Sequence, residues 1–435
     1  MTRPRLRLPF PISHPPVVSA GLLCLAVAGA ALGPSALAAD PAPAAKEQPA
    51  ADPARQVRPD VAKAINAARE QLGRNAFQES LASLKPALAL PDLKPYENLL
   101  LNRLQGVSLV GIGDMPAADA VQEKVIADPM LSAEDRKAVE RMMAQRWYDK
   151  QPYAQAVKWA RRLIADGGGD DTMNTVVIQS LFKSEDWKGT IDAIGQVVAA
   201  DDAAGRKPAE GRLQMLSVCY TKVGDDQGHV AALERLVSLY PKPLYWHNLL
   251  ANLERKEGFE DYAVIDVYRL REATGTVDTA DDFIDWARLA MRAGYPAEAR
   301  RALDAGVAKG VLGNGKGGAP YETLRKQADK ASDEDRALLG QGDARVEKAA
   351  DGNGLFSNGL NYTTHDRFDQ GLPLMERGID RGGLKHADLA RLQLGEAYAR
   401  AGRKDDALRT MTTVKGKDGS GDLARLWTLY LQGNK

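Results

Sequence analysis

A turn recurs along this 435-residue chain and sets what it can fold into. The position just after the turn falls at Phe77, Met115, Tyr153, Trp187, Asp226, Glu260, Pro296, Phe368 and Lys404, with spacings of 38, 38, 34, 39, 34, 36, 72 and 36 residues. A period in this range belongs to a two-helix unit that cannot bury its apolar face alone and must stack on its neighbours. Because 72 is twice 36, a further unit is expected between Gly310 and Asp351, where YETLRKQADKASDEDRALL offers two helical segments around a weak turn. The expected fold class is all-α: an α-solenoid of about ten helical hairpins over residues 61–435, closed by a capping helix near Asp422–Leu431. Alternating β-branched runs between turns do not recur, so strands are not expected.

The clearest copy is LARLQLGEAYARAGRKDDALRTM, Leu389 to Met411. Leu394-Gly395, Tyr398, Gly402 and Ala407 follow the tetratricopeptide pattern, in which small residues let two antiparallel helices cross closely and a glycine ends the first helix. Weaker copies run from Trp286 to Leu303 with Ala299 as the small residue, from Leu249 to Val267 with Ala263, from Met215 and from Val177. In the copy from Met215, His229 stands where alanine is preferred, which reads as local repacking.

The amino terminus reads as an export signal. Arg3, Arg5 and Arg7 precede an apolar run from Val17 to Gly33, and Ala36-Leu37-Ala38 is a small-x-small cleavage site, so residues 1–38 are expected to be a secretory signal peptide. Residues 39–60, rich in Ala and Pro, are expected to be a disordered leader. Cleavage after Ala38 removes Cys24 and leaves Cys219 as the single thiol, read as a small core residue. Basic and acidic side chains balance at 58 each, so the positive field that drives nucleic-acid binding is missing.

Catalytic and cofactor patterns fail one by one. Gly310 to Gly317 has the glycine and lysine spacing of a phosphate loop, but Gly317 replaces the magnesium-binding hydroxyl and a helix precedes the loop where a strand is required. His229, His247, His365 and His386 are scattered without metal-ligand spacing. The carboxylate pairs Asp225-Asp226, Asp281-Asp282 and Asp405-Asp406 sit at helix starts, where they cap free N–H groups. The six tryptophans are spread over the array as packing residues. Neither an enzyme nor a cofactor is expected.

What remains is the face lined by the first helix of each pair. By register it carries Gln214, Lys222, Tyr245, Asn248, Asn252, Arg255, Ile284, Arg288, Arg292, Leu392, Glu396 and Arg400. Long polar side chains there suit an extended peptide held through its backbone and carboxylates.

Several segments resemble a particular group of exported tetratricopeptide-repeat proteins described as components of the TonB energy-transduction system. The carriers are LVSLYPKPLYWHNLLANLERKEGFEDYAVIDVYRLREATG, DFIDWARLAMRAGYPAEARRALDAGVAKGVL, the stretch from Arg367 to Met411 and the closing ARLWTLYL, with Tyr240-Pro241, Tyr245-Trp246 and the helix exit Gly306 to Gly310 as the more specific parts. The chain departs from the pattern at His229, at Gly371 and in the glycine-rich loop Gly313 to Gly318. The resemblance implies a non-enzymatic periplasmic scaffold that binds a segment of another envelope protein, with TonB, ExbB or ExbD as partners. An alternative in the same class is a scaffold for outer-membrane assembly or polysaccharide export.

Overall fold

The structure, a computed structural model, describes residues 53–433. The expected signal peptide and most of the expected leader lie outside the described residues. The chain divides into two compact units, residues 1–200 and 201–435.

In the first unit the hairpins are α1 (Pro59–Gly73) with α2 (Phe77–Leu88), α3 (Pro95–Ile112) with α4 (Met115–Ala127), α5 (Ala133–Lys150) with α6 (Tyr153–Leu163), and α7 (Asp171–Lys183) with α8 (Trp187–Ala203), whose last residues belong to the second unit. The described chain begins with a 3-10 turn at Pro53–Arg55, and Arg58 fastens the start of α1. Its guanidinium lies 2.8 Å from both Asp92 and the buried Glu97, whose carboxyl it holds down at about 2 against the cost of burial. The 3-10 turn and the first two residues of α1 fall within residues 53–60, which the sequence assigned to the leader.

Inside α1–α3, Val61, Ile65, Leu84, Leu100 and Leu101 form a core. Further along, Asp119 of α4 accepts the indole N–H groups of Trp147 (3.0 Å) and Trp159 (2.6 Å), so these two tryptophans tie neighbouring hairpins together. Polar bridges between successive first helices repeat about one period apart, as in Arg103 to Asp135 and Arg141 to Asp170.

The second unit continues with α9 (Glu210–Val223) and α10 (Asp226–Leu239), α11 (Pro243–Leu253) and α12 (Val264–Ala273), and α13 (Ala280–Ala293) and α14 (Pro296–Ala308). Then come α15 (Gly318–Leu338), the short α16 (Asp343–Glu347), α17 (Asn353–Thr364) with α18 (Phe368–Arg381), α19 (Ala387–Arg400) with α20 (Lys404–Met411), and α21 (Ser420–Gly433). All regular elements among the described residues are helical, as the period requires; a single isolated bridge joins Gly313 and Lys316.

Eight of the nine turn positions are the first residue of a second helix. At Glu260 a 3-10 turn, Asp261–Ala263, intervenes before α12. The common device is a left-handed residue two positions earlier. It is Gly113, Gly224, Gly258, Gly294 and Gly402 in five turns, and Asn75, Gln151, Glu185 and Asp366 in the other four, all with φ between 51° and 83°. Left-handed backbone costs a residue with a Cβ about 1–2 kcal/mol. Gln151→Gly and Glu185→Gly are accordingly expected to raise stability by about 1 kcal/mol each, read as a higher midpoint in urea unfolding; no gain in either variant would contradict the role assigned to this turn.

Ala299 and Ala407, the expected crossing residues, are fully buried. The expected hairpin within Gly310 to Asp351 is not there. Instead α15 runs unbroken for 21 residues, followed by α16. From Tyr321 to Leu338 the segment has no glycine, proline or asparagine to end a helix, and Arg325–Asp329 and Lys330–Glu334 pair one turn apart along it.

The end of the chain turns back on the unit's beginning. α21 packs on α10 and α12 as well as on α19 and α20. It caps the last hairpin, as expected, and also closes the unit on itself.

Candidate functional site

Closure brings together a cluster of charges that the chain separates by more than a hundred residues. Arg269 of α12, 6% exposed, donates to Asp266 (2.6 Å), to Glu298 of α14 (2.7 and 3.0 Å) and to Glu396 of α19 (3.3 Å). Trp286 donates its indole N–H to Glu298 (3.1 Å), Trp427 of α21 donates to Glu396 (2.9 Å), and Gln393 donates to both oxygens of Asp266. Burial works against the Glu298 carboxylate, but Arg269, with help from Arg301 and Trp286, holds it down at about 2. Glu396 goes the other way: burial first, and then Asp266 beside it, push it well above the carboxylate range. Arg400 is lowered to about 10, by burial and then by Arg301.

The guanidinium nitrogens of Arg301 carry almost no accessible surface and have no hydrogen-bond partner, Nη2 lying 3.5 Å from Glu272 and 3.9 Å from Glu298. Among the described residues no three His, Cys, Asp or Glu side chains converge as metal ligands. Lys316 of the glycine-rich loop donates back to the carbonyl of Gly310 (2.8 Å), and Leu312 is buried in the core between them. Cys219 is fully buried, and burial pushes its thiol up to about 12.

The residues assigned to the partner-facing surface divide into three groups, buried, half-buried (Gln214, Asn248, Asn252 and Arg400) and exposed. Tyr245 and Glu396, with Ile284 and Leu392, are buried, and this corrects their assignment. Tyr245 receives the Gln214 amide (2.5 Å) and donates to Glu210, joining α11 to α9, while Glu396 belongs to the charge cluster. Asn252 is half-buried and bonds both the Asn248 carbonyl (2.8 Å) and His229 (3.3 Å), whose other ring nitrogen meets Ser217 and Thr221 of α9. His229 thus fills the alanine position with a polar link among three helices.

Arg400 is half-buried and pairs with Asp366 (2.7 Å). Exposed are Lys222, Arg255, Arg288 and Arg292. Lys222 and Arg292 lie in the last turns of α9 and α13, Arg255 just past α11, and Arg288 one turn before Arg292. Arg288 pairs with Asp285 (3.2 Å), whereas Arg255 and Arg292 make no ion pair among the described residues.

Two features escaped the sequence reading. One is the cluster around Arg269. The other is Glu140 of α5, which is fully buried with neither oxygen hydrogen-bonded; burial, and then Asp166, raise it to about 7. A cleft of about 160 Å³ also lies where α10, α11, α12 and α21 meet, lined by Pro241, Pro243, Trp246, Leu429 and Tyr430 among others.

The helices define the class: a repeat protein of tetratricopeptide-like hairpins. No family model matches the chain, and no curated protein matches it. Among solved structures it aligns with a Naa15/Naa10 complex bound to HypK-THB, at 12% identity over 85% of this chain and 65% of that one, TM-score 0.30. It aligns also with the TPR domain of P58(IPK), at 11% identity over 86% and 99% with TM-score 0.22, and with yeast Tom70, at 11% over 86% and 94% with TM-score 0.23. Likenesses this weak say nothing about what the protein binds.

Proposed function

We propose that this protein is a non-enzymatic periplasmic adaptor that holds an extended, acidic segment of another envelope protein along the first helices of its second unit, as an accessory of the TonB, ExbB and ExbD machinery. The observation that carries the binding reading is the set of exposed cations at the ends of α9, α11 and α13, where successive hairpins offer Lys222, Arg255, Arg288 and Arg292 in turn. An extended peptide with carboxylates at the spacing of successive hairpins meets at least one cation on each, and guanidinium groups bind carboxylates in a bidentate fork. The assignment to the periplasm rests on the amino-terminal pattern, and the choice of machinery on the family resemblance.

The test is crosslinking in intact cells followed by affinity purification, comparing wild type with the triple variant Arg255→Ala, Arg288→Ala, Arg292→Ala, all exposed. Enrichment of TonB, ExbB or ExbD, reduced several-fold in the variant, supports the reading. Enrichment of outer-membrane-assembly or glycan-export proteins in their place keeps the adaptor and overturns the TonB assignment.

A further inference from the structure

Among the described residues, Glu140 is the only carboxyl group with both oxygens buried and without a hydrogen-bond partner. An ionised carboxylate there would be stripped of water and given no donor in exchange, so the folded first unit accommodates the uncharged acid. The residue lies in the middle of α5, which packs mainly on α6 and also on α4 and α7.

Beside it the packing is thin. α6 ends in a π-helical turn, Ile164–Gly168, which buries none of its residues and holds Gly167 in a left-handed backbone (φ 75°). Gly169 follows before α7 begins. Arg141, the chain neighbour of Glu140, braces this turn: its guanidinium donates to the Gly168 carbonyl (2.9 Å) and to Asp170 (2.6 Å), which caps α7. An ion pair as exposed as Arg141–Asp170 holds little by itself. A single glycine-rich π turn, exposed and held by one such brace, is where the junction of the third and fourth hairpins opens most easily.

We propose that Glu140 is a pH-operated switch at this junction: uncharged, it packs inside the first unit; ionised, it draws water in and frees the π turn from α5. Burial is the largest influence on its proton and Asp166 of the turn adds to it, while Arg162 of α6 and Arg136 of α5 pull the other way. Arg162 is committed to Glu123 of α4 (2.9 Å). Asp119 and Lys124 of α4, and Asp171 and Lys183 of α7, form no ion pair with Glu140 among the described residues. The direction of the pH effect follows. Glu140 holds its proton more tightly folded, up to about 7, than unfolded, so its stabilisation is full below the ordinary glutamate range, falls as pH rises towards that value and levels off above it.

Hydrogen exchange on the full chain between about pH 5 and about pH 8.5, corrected for intrinsic rates and referenced to α2, reads the switch. In wild type, protection of the last turn of α6 and the first half of α7 is expected to fall at least about tenfold relative to α2, with the fall complete by about pH 8. Glu140→Gln keeps the shape without an ionisable group, and Glu140→Met fills the site without polar atoms; both are expected to hold protection level across the range, and Glu140→Met alone decides if Glu140→Gln does not fold. Arg141→Ala, which removes the brace and leaves the buried carboxyl, is expected to lower protection at every pH while keeping the pH-dependent fall. Wild-type protection that follows α2 at every pH overturns the proposal, as does a fall that persists undiminished in Glu140→Met, or one that disappears in Arg141→Ala.

Discussion

Arg269→Ala is expected to lower the unfolding free energy by about 3–5 kcal/mol, the usual cost of leaving buried charges without their partner. Three carboxyl groups depend on this guanidinium, all essentially inaccessible to solvent that could replace it. Glu298 suffers most, because its ionised state at neutral pH is maintained chiefly by Arg269. Guanidinium denaturation with the slope unchanged and the midpoint moved down would give the figure; a loss below about 1 kcal/mol would mean that the cluster carries no net burden. Arg269→Lys is expected to recover only part of the loss, since an ammonium cannot reproduce a fork that reaches Glu298 and Asp266 at once.

The second large effect is at Gly359, where α17 crosses α18. A Cβ there would stand 2.6 Å from the Gly371 carbonyl oxygen and 2.7 Å from the Met375 nitrogen, and a Cβ at Gly371 would stand 2.6 Å from the Gly359 oxygen. These are backbone atoms, which cannot swing aside as a side chain does. Gly359→Ala is therefore expected to cost roughly 2–3 kcal/mol, the upper part of the overpacking range. Gly195→Ala in α8, with nothing within 4 Å of the new methyl, is expected to stabilise by about 0.5–1 kcal/mol through helix propensity alone. If both substitutions shift the thermal midpoint alike, the helices do not meet through glycine.

The same crossing explains why Gly371 departs from the repeat pattern. An alanine would suffice at an ordinary crossing such as Ala299 or Ala407, but α17 and α18 approach more closely and admit no side chain.

The repeat was legible because its turn leaves a local trace. A left-handed residue followed two positions on by a helix start is a short-range event, and glycine marks it in five of the nine turns. Where Gln151 or Glu185 takes the left-handed position, the signal survives only in the period. The hairpin expected after Gly310 marks the limit of that reasoning: a period demands a turn, but a segment without breakers prefers one long helix.

Closure was not legible, because Asp266 and Gln393, or Lys256 and Asp422, are brought together only by the accumulated rotation of the intervening hairpins. A trace of the charge cluster is nonetheless present in the sequence. In α12, VIDVYRLREA, Ile265, Val267 and Leu270 leave Asp266 and Arg269 no solvent-facing side, so mapping apolar faces all round the helix points to a buried pair there. Glu396 looks like a surface residue because its register is that of a first helix, and only the return of the chain end buries it.

If the first helices of the second unit form the partner-binding surface, photo-crosslinking in cells will show it. The reactive side chain is placed singly at Arg255, Arg288 and Arg292 and, as a control on a second helix, at the exposed Ser238 of α10. A binding face along the first helices predicts the same crosslinked protein from the three arginine positions and none from Ser238. Equal crosslinking at Ser238, or adducts from Ser238 alone, would contradict it.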